Sequence, residues 1–119
     1  MGKHNEFGKQ GEQVAVDFLQ RERYEICYRN YRYQRAEVDI IARKGAVLAI
    51  VEVKSRSVGF LGDLSDTINQ KKIKLLVLAA DNYVQERKLD VEVRFDIILV
   101  IKNKEGFEVE HVKNAFYYF

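Results

Sequence analysis

The chain has 119 residues, 47% hydrophobic and 32% charged, which suits one compact domain spanning 1–119 and excludes two. Twenty Lys and Arg against 18 Asp and Glu leave a net charge of +2, so a nucleic-acid-binding surface has to come from local clustering rather than bulk charge. Cys27 is the single cysteine, which excludes an internal disulfide, and one cysteine with two histidines argues against structural zinc.

Met1 to Gln13 is polar and unlike a signal peptide, and no apolar run is long enough to span a bilayer. A cytoplasmic protein with no membrane partner is expected. Glu6 to Arg23 has the spacing of a helix, with Val14, Ala15, Val16, Phe18 and Leu19 on one side. Tyr24 to Tyr33 alternates as a strand, placing Tyr24, Ile26 and Tyr28 on one face. Glu37–Arg43 and Ala46–Ser55 follow as strands joined by a turn at Lys44-Gly45. Val58 to Leu64 is a glycine-containing loop. Ser65 or Asp66 can cap a second helix running to about Gln85, with Ile68, Leu75, Leu76, Ala79 and Tyr83 as its apolar face. Val91 to Ile101 is a strand, Asn103 to Gly106 a turn and Phe107 to Val112 a final strand. The order αβββαββ predicts an α/β fold, a mixed sheet with helices packed on it.

The central hairpin carries three charges inside an apolar run, "AEVDIIARKGAVLAIVEVKSRS". Side chains alternate across a strand, so Glu37, Asp39 and Ile41 share a face, as do Glu52, Lys54 and Arg56. A hairpin centred between Gly45 and Ala46 sets Asp39 opposite Glu52, with Cβ atoms about 5 Å apart. Two such carboxylates repel when both are ionised and lose hydration in a half-buried sheet. A shared Mg²⁺ relieves both problems, since it takes oxygen ligands and keeps some of its water. Lys54 emerges on the same face, where its ammonium can hold a water or stabilise charge on a phosphate. The competing reading is a set of salt bridges on the wet face of an antiparallel sheet.

Both helices add to this pattern. Glu12 falls within the apolar arc of the first helix and needs a partner there, either a metal or Lys54, unless it serves only to complement the helix dipole. Lys72 falls within the apolar face of the second helix, to snorkel to the rim or to reach a carboxylate or phosphate.

"GKQGEQVAVDFL", "YRNYRY", "AEVDIIA", "VEVKSRS", "INQKKIKLLVLAADNYV", "VRFDIILV" and "HVKNAF" occur in that order from Gly8 to Phe116. Together they resemble the YraN-like family, also called UPF0102. That family is similar to the PD-(D/E)xK nuclease superfamily and, within it, to archaeal Holliday-junction resolvases. The resemblance implies a restriction-endonuclease-like fold, with a mixed sheet of about five strands flanked by helices. It implies a Mg²⁺- or Mn²⁺-dependent endonuclease acting on DNA, with Glu12, Asp39, Glu52 and Lys54 as the catalytic set. Asp39, Glu52, Glu12 and the Val53 carbonyl would hold the metal, and Lys72 falls where the family has a basic residue in the second helix. Val38 stands where the superfamily has proline, and Ala36 where the family has glycine. Glu37 is an outer ligand or a neighbour of Arg56. A homodimer is expected by analogy with the resolvases.

"RERYEICYRNYRYQR" interleaves Arg21, Arg23, Arg29, Arg32 and Arg35 with Tyr24, Tyr28, Tyr31 and Tyr33. Arginines grip phosphates and tyrosines stack on unpaired bases, or the tyrosines simply pack on the core. Arg32 and Arg35, just before Asp39, and Arg56, just after the acidic pair, are the stronger candidates for nucleic-acid contacts. Arg94 and Asp96 share a face, as a structural ion pair in the first instance or else as support behind the metal site, and a lone histidine such as His111 is more often structural than catalytic. Tyr117, Tyr118 and Phe119 pack back on the domain or meet a second copy.

Overall fold

Seven elements follow the predicted order in the computed structural model, which describes residues 3–57 and 69–116, with side chains from residue 6. They are α1 (Lys3–Arg21), β1 (Glu25–Tyr33), β2 (Ala36–Lys44), β3 (Val47–Ser57), α2 (Gln70–Arg87), β4 (Glu92–Asn103) and β5 (Gly106–Val112). The five strands form one mixed sheet in sequence order, with β3 and β4 parallel and all other neighbours antiparallel. This α/β arrangement, with a helix on each face, is the restriction-endonuclease-like one that the resemblance implies. Among the described residues no helix is long and apolar enough to cross a membrane.

The two faces carry separate cores. Ala15, Val16 and Leu19 of α1 pack with Ile40, Ala42, Ala49, Val51, Ile98 and Val100. Gly11 makes this approach possible, because a Cβ there would overlap the Ser55 hydroxyl on β3. Leu76, Ala79, Ala80 and Tyr83 of α2 pack with Val38, Ile41, Leu48, Ile50 and Phe95 on the other face. Ile73 and Ala80 are buried in α2 beside the expected Leu76, Ala79 and Tyr83.

Two sequence expectations need correction. The cap of α2 is Asn69, whose side chain accepts the Lys72 N–H, so the described helix starts after Ser65 and Asp66. Those two residues, the Val58–Leu64 loop, Ile68 and Tyr117 to Phe119 lie outside the described residues. Ile26 and Tyr28 do not share a face. The register slips at Cys27, so Ile26 pairs with Ala42 and Tyr28 with Ile41. Ile26 therefore packs beneath α1, while Tyr28 sits edge-on to Tyr31 on the α2 side.

The β2–β3 hairpin turns at Gly45, whose φ of 61° suits glycine, and Lys44 pairs with Val47. That register runs to Ile40 opposite Val51, which leaves Asp39 opposite Glu52 as expected. The regular ladder stops one pair short of them. On the other side of Asp39, the β1 register places Asn30 opposite it, between the Arg29–Ile40 and Tyr31–Val38 pairs. Asn30 has a φ of 56°, and strand alternation breaks there: Val38 and Ile41, an odd number of positions apart, pack in the same core. Asn30, Asp39 and Glu52 thus form a row across three strands at the point where regular pairing fails.

Candidate functional site

Asn30 and Asp39 of this row line a cleft of about 640 Å³ together with Glu12, Arg32, Lys54 and Arg56, while Glu52 lies buried behind it. α1 brings Glu12 to it, and the bend in β1 brings Asn30. Glu12 Oε1 accepts from Asn30 Nδ2 at 3.0 Å and from Arg29 Nη2 at 3.5 Å. The partners of Glu12 are therefore on β1, and Lys54 is not one of them. Arg29 also donates to the Gln13 amide oxygen at 3.0 Å, which fixes the guanidinium against α1.

Asp39 Oδ2 accepts the Val53 backbone N–H at 2.8 Å. This bond replaces the next rung of the β2–β3 ladder. Burial, followed by the negative charge of Glu52, pushes the Asp39 carboxyl up to about 7, against the pull of the Val53 N–H. The repulsion inferred from the hairpin register is thus present in the folded chain.

Glu52 is 5% exposed. Its Oε1 lies 2.6 Å from Lys72 Nζ and 3.4 Å from Lys54 Nζ. Its Oε2 is buried and has no hydrogen-bond partner among the described residues. Burial lowers the Lys54 pKa, only partly offset by the Glu52 charge. Burial acts in the same direction on Lys72, but its hydrogen bond to Glu52 and the charges of Glu52 and Asp39 outweigh it and hold that ammonium above its ordinary value.

Glu12 Oε1 and Asp39 Oδ2 are each committed to the protein, and of the three carboxylates only Glu52 has a buried oxygen, Oε2, left without a hydrogen-bond partner among the described residues. An orphaned buried oxygen is costly unless something else satisfies it, and a hard divalent cation takes such oxygens. The donor chemistry of Glu52 and Asp39, which interact electrostatically across the hairpin with Val53 bonded to Asp39, therefore fits Mg²⁺ or Mn²⁺. Among the described residues, however, no three His, Cys, Asp or Glu side chains converge on a single point where they could hold a metal.

The remaining candidates divide between the cleft and the surface. Arg32 and Arg56 line the cleft. Arg32 pairs with Glu37 at 3.6 Å, which gives Glu37 a neighbour other than Arg56, and Arg56 donates to the Ser55 carbonyl. Arg35 lines a neighbouring hollow of about 320 Å³ with Lys71 and Lys72 at the start of α2. Tyr24 and Tyr31 are buried, and only Tyr28 of the β1 tyrosines is exposed.

A second buried acid lies on the α1 side of the sheet. Asp96 is fully buried and receives Arg94 on both oxygens, at 2.9 and 3.1 Å from Nε and 2.9 Å from Nη2. His111 Nε2 lies 2.8 Å from Oδ2, the Asn114 N–H reaches Oδ1, and Arg94 also donates to the Tyr24 hydroxyl. Sequence reading found the Arg94–Asp96 pair from its spacing on one strand. It missed that His111 and Asn114 close the network, because those contacts cross from β5 and the segment after it, and no local pattern marks them.

Comparison with known proteins places these features in a family. Residues 11–100 match the model of "Uncharacterised protein family UPF0102". A UPF0102 protein of Christiangramia forsetii is 54% identical over the full length of both chains. One from Flavobacterium psychrophilum is 48% identical, again over the whole of both chains. One from Bacteroides fragilis is 46% identical over 98% of this chain and 97% of its own. The row of Asn30, Asp39 and Glu52, with Lys54, lies within the matched region, and the chain belongs to the UPF0102 family.

Proposed function

We propose that the protein is a metal-dependent endonuclease that hydrolyses phosphodiester bonds in DNA, with branched recombination or repair intermediates as the substrate class. The observation that carries this reading is the orphaned Glu52 oxygen next to a carboxylate, Asp39, that burial and then the Glu52 charge push towards neutrality. Asp39 and Glu52, with the Val53 carbonyl and help from Glu12, would hold Mg²⁺ or Mn²⁺. The bound ion would polarise the scissile phosphate and acidify a water.

The chain's own residues do the rest. Lys72 holds Glu52 by one oxygen and keeps the other available. Lys54, its proton loosened by burial, orients the attacking water at Nζ. Arg32 and Arg56 in the cleft, and Arg35 beside the start of α2, supply phosphate contacts that fix the strand without reading sequence. The resolvase analogy adds a homodimer to this reading.

A second reading is a nucleic-acid-binding module that keeps the fold without turnover. It is favoured by the lack of three converged metal-ligating side chains among the described residues. The test uses labelled duplex, single-stranded, flap and four-way-junction DNA with Mg²⁺, Mn²⁺ or EDTA. It compares the wild type with the double variant Asp39→Asn, Glu52→Gln. Cleavage by the wild type alone, and only with metal, is the expected result. Equal binding by both proteins without cleavage would overturn the nuclease reading in favour of the binding module.

A further inference from the structure

We propose that Asn30 is a positioning residue for Glu12, an inference that rests on the metal-dependent reading above. Asn30 sits mid-strand with a left-handed backbone, φ 56°, where a non-glycine residue is uncommon. A β-strand has no need of this conformation, and it costs the regular pairing between Asn30 and Asp39. What it brings is the bond from Asn30 Nδ2 to Glu12 Oε1, 3.0 Å long, across the gap between β1 and α1. Asparagine tolerates the left-handed region better than other side chains, and its amide can donate without adding charge. Arg29 reaches the same oxygen at 3.5 Å but is shared with Gln13, so the amide is the shorter and more local clamp.

The consequence is geometric. Glu12 stands at the cleft with one oxygen held, in the same lining as Asp39. Without the amide, the carboxylate is free to swing towards the Arg29 guanidinium and away from the acidic row. Asn30 touches neither substrate nor metal in this scheme; it acts through the orientation of Glu12.

Asn30→Gly separates the two contributions, because glycine keeps the left-handed backbone and removes the amide. Asn30→Asp is the second variant. It also tolerates the backbone and is nearly isosteric, but turns the donor into an acceptor facing Glu12. These two, Glu12→Gln, and the double variant Asn30→Gly, Glu12→Gln are compared with the wild type in three measurements. These are melting in EDTA, Mn²⁺ affinity by titration calorimetry, and kcat and KM for the best cleaved DNA.

Asn30→Gly is expected to melt within a few degrees of the wild type. It should bind Mn²⁺ about tenfold more weakly and lose about tenfold in kcat with KM unchanged. Asn30→Asp should lose as much or more. The double variant should be no worse than Glu12→Gln alone. Wild-type kcat and Mn²⁺ affinity in Asn30→Gly, or a loss that adds to that of Glu12→Gln, would overturn this inference while leaving the nuclease reading standing. A wild type that neither cuts nor binds Mn²⁺ would overturn both.

Discussion

Glu52 and Asp96 are the two buried charged residues among the described residues, on adjacent parallel strands and opposite faces of one sheet. They are treated very differently. Asp96 has both oxygens saturated, by a forked guanidinium, an imidazole and a backbone N–H. Burial opposes its charge, but His111 and Arg94 outweigh burial and hold its carboxyl below the usual range. Glu52 has one oxygen gripped by two lysines and the other orphaned, with a second carboxylate nearby. The first arrangement is complete in the protein alone. The second is incomplete among the described residues, and the proposed metal site would complete it. A folded chain tolerates such a deficit where function compensates for it.

The largest effect should come from breaking the complete network. Arg94→Met leaves a fully buried carboxylate without its main partner, which costs about 3–5 kcal/mol for a buried pair. Chemical denaturation with and without Mg²⁺ should give the same loss, because the partners of Asp96 include none of the proposed metal ligands. A loss that Mg²⁺ largely restored would mean that the two regions are coupled and the contrast between them is wrong.

A smaller effect is expected from Lys72→Met. Removing the 2.6 Å partner of Glu52 leaves Lys54 at 3.4 Å as its remaining cation. Lys72 is about a third exposed, at 37%, so solvent screening reduces its share to about 1 kcal/mol. Here Mg²⁺ should narrow the difference, since a bound cation stabilises the folded state by an amount that grows with its concentration over its dissociation constant. Melting curves at rising Mg²⁺ would test this, and a gap that stays constant would count against metal binding at Glu52.

Much of this was legible in the sequence because it is local. Alternation and a glycine turn give the β2–β3 register, and the register brings Asp39 opposite Glu52. Helical spacing turns Lys72 inward, and it meets Glu52. What could not be read was what depends on departures from regularity. The slip at Cys27 and the left-handed Asn30 reverse which β1 side chains face which helix, and a period-two pattern cannot anticipate them. Arg29 was grouped with the possible phosphate grips for the same reason; its role against α1 follows only once β1 is placed beside Glu12. The cap of α2 was missed because Ser65 and Asp66 are equally good capping residues, and sequence alone does not rank them against Asn69.

The response to pH discriminates best, because the two acids should respond with opposite sign. In EDTA, Asp39 carries a carboxyl raised to about 7 from an ordinary value near 4. Between those values the folded state holds more protons than the unfolded one, so stability falls as pH rises through this window. Asp96 is shifted the other way, so its contribution is present above about pH 4 and lost as the solution is acidified further. Asp39→Asn removes only the first effect, and its amide oxygen can still accept the Val53 N–H. One pKa unit corresponds to about 1.4 kcal/mol, but Glu52 shares the coupled titration, so about 1–2 kcal/mol is expected. The metal-free variant should match the wild type near pH 4 and melt several degrees higher at pH 8, at roughly 4–8 °C per kcal/mol for a domain of this size. With Mg²⁺ at pH 8 the order should reverse, because the ion stabilises the ionised wild-type pair and has less to bind in the variant. A variant that melts below the wild type at pH 8 in EDTA would show that Asp39 and Glu52 form a stable network by themselves, as Asp96 does, and the contrast between the two acids would collapse.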